Sequence, residues 1–109
     1  MFDNYDEVYK YLVQKKCKDI ALYDLTNDSE KAVYMFVVSN PTPLANKKFA
    51  DFLIEDLKIA DQPDGYSKGE WIIFEFGNFI IHSFVPLSRD KYNLDKLWKS
   101  RKINLKKKK

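Results

Sequence analysis

The sequence is poor in the residues that build reactive centres, with one cysteine, Cys17, and one histidine, His82, among 109 residues. A lone thiol cannot close an internal disulfide. With no second thiol or histidine at ligand spacing, a zinc site has no ligand set either. A reducing, cytoplasmic setting is therefore expected. No apolar run approaches the roughly 20 residues that cross a bilayer, and the opening Met1 to Glu7 is acidic where a secretory leader would be basic. Long linkers and internal repeats are also missing, and the only low-complexity stretch is the terminal lysine run. Paired carboxylates two apart, the signature of two-metal phosphoryl chemistry, occur on no predicted strand. No metal and no cofactor are expected.

What remains fits one domain with a core of its own. The formal net charge of +3 hides an uneven distribution. Seven of the 19 basic residues lie between Lys99 and Lys109 with no acid among them, leaving twelve against 16 acids in residues 1–98. The body is acidic and the end is basic. The division expected is a domain over 1–100 and a basic tail over 101–109. That tail is either a solvated, disordered end or a contact for rRNA phosphates through Lys106, Lys107, Lys108 and Lys109.

Hydrophobic periodicity predicts the elements. Tyr5, Val8, Tyr9, Leu12 and Val13 recur at helical spacing over residues 4–18 behind Asp3, a candidate N-cap. Ile20 to Leu25 and Ala32 to Val38 read as adjacent strands. Asn40-Pro41-Thr42-Pro43 stops the second, and Pro43 suits a helix's first turn. Ala45, Phe49, Phe52, Leu53, Leu57 and Ala60 then form a stripe expected to lie on the sheet. Trp71 to Phe76 and Phe79 to Val85 flank Gly77-Asn78, the pattern of a tight hairpin. Apolar residues on both sides of its second strand imply a central strand with helices over both faces. Arg89 to Lys99 reads as a short helix or turns packing Tyr92, Leu94, Leu97 and Trp98 inward. The fold class is α/β: two antiparallel hairpins joined by a crossover helix, in a mixed sheet of four or five strands flanked by helices.

Two residues invite chemistry. His82 could serve as a general base, but with no identifiable serine or cysteine partner, a hydrogen-bonded structural role on its strand outweighs it. Trp71, at the start of a strand, can be half core and half interface, because indole supplies large area with one donor. Glu75 and Asp24 are single acids expected at the surface.

The stretch Gly69-Glu70-Trp71-Ile72-Ile73-Phe74-Glu75-Phe76-Gly77-Asn78-Phe79-Ile80-Ile81-His82-Ser83-Phe84, then Arg89, then Tyr92-Asn93-Leu94-Asp95-Lys96-Leu97-Trp98, resembles the second half of the ribosomal silencing factor (Iojap-like) family. Asp19-Ile20 through Asp24-Leu25 and Phe36-Val37-Val38 resemble its first two strands. The chain departs from the family pattern at Tyr34, Pro41, Ala45-Asn46 and Asn78. The resemblance implies a nucleotidyltransferase-like layered fold without the catalytic apparatus. It also implies binding to the large ribosomal subunit, chiefly through the protein numbered fourteen, and steric exclusion of the small subunit. The contact implied is carried by Trp71, Glu75, Phe76, His82, Arg89 and Tyr92, on a monomer or homodimer. A nucleotide-binding or nucleotidyltransferase-like enzyme is the alternative.

Overall fold

The computed structural model describes residues 2–26 and 31–105. Helix α1 (Tyr5–Gln14) is capped by Asn4 rather than Asp3. Asn4 has extended backbone, and its side-chain oxygen accepts from the Glu7 N–H at 3.1 Å, while the Glu7 carboxylate accepts from the Asp3 N–H at 2.8 Å. The reciprocal pair satisfies two donors at the helix entry, and Asp3 contributes its amide instead of its carboxylate. Strands β1 (Lys18–Asp24) and β2 (Tyr34–Ser39) pair antiparallel, with a register irregularity between Lys18 and Ala21.

Helix α2 (Pro43–Leu57) begins behind Thr42, whose hydroxyl accepts from the Ala45 N–H at 3.1 Å, with Pro43 in the first turn as the sequence suggests. It ends where Lys58 turns left-handed, so Ala60 lies beyond the helix. The buried line is Asn46, Phe49, Ala50 and Leu53. Phe52 sits on the flank, half exposed beneath the Lys15 ammonium 4.4 Å from its ring centre, so the expected stripe is displaced toward Asn46.

The hairpin forms as predicted from β3 (Trp71–Phe76) and β4 (Phe79–Phe84) around Gly77, whose φ of +57° suits glycine. Short α3 (Pro86–Tyr92) and α4 (Leu94–Leu97) and one 3₁₀ turn (Lys99–Arg101) lead into β5 (Lys102–Ile103). The fold therefore runs past residue 100. Arg101 donates to the carbonyls of Asp24 and Thr26 at 2.7 and 2.9 Å, β5 pairs with Leu22 and Tyr23 of β1, and Leu105 packs on the core.

The sheet order is β3-β4-β2-β1-β5, with β2 and β4 parallel and every other pair antiparallel. This is the mixed α/β sheet expected, with five strands. Side-chain alternation divides it into two unequal faces. On one, Leu22, Phe36, Val38, Ile72, Phe74 and Ile81 meet Val8 and Leu12 of α1 and Phe49, Ala50 and Leu53 of α2 in the main core. Both long helices thus lie on the same side. The other face carries Ala21, Tyr23, Met35, Val37 and Phe84, and among the described residues the C-terminal segment, through Leu94 and Trp98, covers it. Leu97, expected inward, is 69% exposed, since α4 is one turn long and commits Leu94 to the sheet instead.

Candidate functional site

Incomplete cover of the second face defines the site. In the β3–β4 register Trp71 faces Phe84, Ile73 faces His82 and Glu75 faces Ile80, so all six side chains share this face. Trp71 stacks on Phe84 with ring centres 4.9 Å apart and meets Tyr92 of α3 at 4.6 Å and His82 at 5.8 Å. Tyr92 remains half exposed, correcting the expectation that it packs inward: α3 is only two turns long and ends at Tyr92, so its ring caps Trp71 from outside instead of entering the core. Trp71, Ile73, Ile80 and His82 are partly buried, and Glu75 is exposed. The result is an aromatic and aliphatic platform at the sheet's β3 end with one acid on its rim.

The indole and the imidazole of the platform are fixed to each other. The Trp71 Nε1–H donates to Nδ1 of His82 at 2.9 Å. An accepting Nδ1 places the imidazole proton on Nε2 and requires the neutral ring. Burial among apolar neighbours pushes the His82 pKa down to about 4, consistent with that state. His82 therefore orients the indole, the structural role the sequence favoured.

Arg89 is consumed by the fold. Its Nε and Nη2 grip the two carboxylate oxygens of Asp95 at 2.9 and 3.0 Å, while Nη1 donates to the Asp19 carbonyl and the Ser39 hydroxyl at 2.7 and 2.8 Å. Tyr23 donates to the same carboxylate at 2.7 Å. Burial opposes ionisation of Asp95, but the hydrogen bonds from Arg89 and Tyr23 outweigh it and hold the carboxyl below its ordinary range. This fork ties the C-terminal segment to β1 and β2.

Trp71, His82 and Tyr92 thus converge, Glu75 lies on the same face near the hairpin, and Arg89 buttresses the segment that carries Tyr92. Phe76 does not join them. It pairs with Phe79 on the helix-covered face and packs on Phe2, with ring centres 5.9 Å apart. One residue of strand alternation separates it from Glu75. Lys106 to Lys109 lie outside the described residues.

Sequence reasoning missed a polar knot beneath the main core. Asn46 and Ser83 are fully buried and Asn40 is 4% exposed. The Asn46 Nδ2 donates to the carbonyls of Gly69 and Ser83, both at 2.9 Å, and Asn40 Nδ2 donates to Asn46 Oδ1 and Ser83 Oγ, both at 3.0 Å. The Ser83 hydroxyl completes it by donating to Asn46 Oδ1. No buried side-chain polar atom among the described residues lacks a partner. The polarity of Asn46 at a core-facing helical position was the available signal.

Among the described residues, no three of His, Cys, Asp and Glu converge as a metal site would require. Burial pushes the Cys17 thiol up to about 12, away from nucleophilic character. No described helix is long and apolar enough to cross a membrane.

A mixed five-stranded sheet with one helix-covered face and one partly covered aromatic face defines an α/β domain. Comparison places it more narrowly: the chain belongs to the family RsfS, ribosomal silencing factor during starvation, whose pattern matches residues 3–109. It is 30% identical over 84 residues to the ribosomal silencing factor RsfS of Zymomonas mobilis, covering 73% of this chain and 63% of that protein. It is 24% identical over 106 residues to the mouse mitochondrial assembly of ribosomal large subunit protein 1, covering 91% of this chain but 46% of that one. The crystal structure of protein CV0518 from Chromobacterium violaceum superposes with a TM-score of 0.70 at 21% identity, covering 97% of this chain and 95% of the other.

Proposed function

We propose that this protein silences ribosomes by binding the large subunit through the Trp71 platform and excluding the small subunit by its bulk. The observation that carries this reading is the cluster of Trp71, His82, Phe84 and Tyr92, held in place yet left partly open beside Ile73 and Ile80. An aromatic patch held by its own contacts, partly buried and with one acidic neighbour, has the character of a binding hot spot. The family supplies the setting, and the mouse relative's name, with its large-subunit assembly, supports the choice of subunit.

The partner within that subunit is its protein numbered fourteen, with Trp71 as anchor and Glu75 available to a basic side chain. Obstruction needs no chemistry. The domain measures 35 × 33 × 30 Å, too thick for the interior of a closed joint between subunits. Catalysis and cofactors have no place in this mechanism, and the protein works in the cytoplasm. Lys106 to Lys109 follow Leu105 in sequence and add electrostatic attraction to rRNA.

Sedimentation of purified subunits with and without the protein is the direct test. Co-sedimentation with the large subunit and loss of reassociated particles is the expected result. Undisturbed joining with no protein on the large subunit would overturn the proposal.

A further inference from the structure

At the far end of the sheet from Trp71, β5 covers only Leu22 and Tyr23 of the seven-residue β1. The rest of that edge opens into two adjoining grooves. One, of about 410 Å³, is lined by Arg89, Asp95, Lys99 and Lys102, and the other, of about 600 Å³, runs between Lys18 and Lys102 against an apolar wall of Tyr9, Val13, Cys17 and Leu105. Asp19, Ile20 and Ala21 of β1 and Lys102 of β5 line both, so the two meet at the sheet edge as a trough that wraps it, the first groove on the Tyr23 face and the second on the helix-covered face.

The trough is electropositive for an identifiable reason. Lys18, Lys99 and Lys102 are exposed, and the only ion pair among the described residues is Arg89 with Asp95. The nearby acids are largely engaged. Asp95 is paired with Arg89 and held by Tyr23, with Lys102 adding its field, and Asp24 lies outside both grooves. Asp19 is the remaining acid, exposed on the trough wall. On its floor, four hydrogen bonds account for four of the five N–H donors of Arg89.

We infer that this β1–β5 edge is a second binding surface, a track for the phosphate backbone of RNA that works independently of the Trp71 platform. Long lysine stems around an open, shallow trough suit a regularly spaced polyanion and demand no matched side-chain socket. Readout is of charge and shape, not of base sequence.

The test uses the full chain, with its lysine tail intact, and a short RNA duplex of arbitrary sequence, following affinity against salt concentration. A triple variant, Lys18→Gln, Lys99→Gln and Lys102→Gln, is compared with a control of equal charge change on the two long helices and their cap, Lys10→Gln, Lys48→Gln and Lys58→Gln. The expected result is that the edge variant lowers the slope of log affinity against log salt by about two to three, while the control leaves it nearly unchanged. The single variants Lys18→Gln and Lys102→Gln, each expected to lower it by about one, keep the test decisive if the triple variant folds poorly. Equal slopes for edge variant and control would overturn the inference. So would polyglutamate displacing the RNA at equal charge concentration, which would assign the trough to acidic polypeptides. Trp71→Ala is expected to bind the RNA normally, so failure of the platform and failure of the track are separately visible.

Discussion

The Trp71 indole donates to an imidazole nitrogen of His82 across the β3–β4 pair, at 2.9 Å. A protonated ring has no lone pair to offer at that nitrogen, so the bond and the positive charge exclude each other. Between pH about 4, the folded value, and about 6.5, the ordinary one, the unfolded chain binds more protons than the folded chain. The stability from neutral His82 is fully present above that window and is lost as pH falls through it. Its size is about 2 kcal/mol after allowance for solvent at the ring's half-buried edge. Urea melts at pH 7 and 4.5 should show this loss, and His82→Asn, which cannot titrate, should show a smaller one. Equal losses in both proteins would remove His82 as the source.

Trp71→Ala is expected to weaken large-subunit binding about thirty-fold, roughly 2 kcal/mol, with the protein still folded. Leu97→Ser, at an exposed position away from the platform, should change it little. Similar affinities for the two variants in pelleting assays would reassign the contact.

Arg89→Met removes the fork that holds Asp95, Ser39 and the Asp19 carbonyl. Loss of a partner from a partly buried charged network predicts a cost of about 2 kcal/mol or more. Tyr23→Phe, which removes one bond to the same carboxylate, should cost about 1 kcal/mol. Chemical denaturation of both variants measures the ordering, and a Tyr23→Phe cost equal to that of Arg89→Met would contradict it.

Asn46→Ala strips the polar knot of its centre, leaving the Gly69 and Ser83 carbonyls without this donor and Asn40 and the Ser83 hydroxyl without their shared acceptor. About 3 kcal/mol of stability should disappear. Asn46→Leu should not recover it, because bulk replaces volume but not hydrogen bonds. Recovery by leucine would show the site to be a packing position.

Deleting Lys106 to Lys109 should flatten the salt dependence of ribosome binding, by up to about four phosphate contacts. An unchanged slope would leave the tail with no part in attachment.

Much of this was legible from pattern alone. The strands, the Gly77-Asn78 hairpin and the helix starting at Pro43 follow from period, turn chemistry and proline, which act locally. What escaped depends on distant partners. Phe52 was counted with the core because it is apolar, but one-third of a turn carries it to the flank. Tyr92 and Leu97 went wrong because helices of one or two turns have too few residues to fix a face. β5 is two residues of a lysine-rich segment, a strand only because β1 offers an edge. On the site, the hydrogen-bonded structural role of His82 and the half-buried place of Trp71 at the start of β3 follow from the strand pattern. Phe76 could be separated from Glu75 only by knowing which face the long helices occupy, and Arg89 needed Asp95 and the Asp19 carbonyl to show its structural duty.

The Asn40–Asn46–Ser83 knot also bears on how the chain avoids folding wrongly. Its three side chains come from the end of β2, the start of α2 and the inside of β4, and the β2–β4 pairing is the one parallel, long-range contact that unites the two hairpins. Sliding β4 by one position would bring Phe84, which has no acceptor, or the bulkier His82 to the amides in place of a hydroxyl, stranding a buried donor or crowding the site. A greasy seam would tolerate that slip far more cheaply. The knot thus acts as a proofreader of alignment, rejecting near-miss assemblies that hydrophobicity alone would accept.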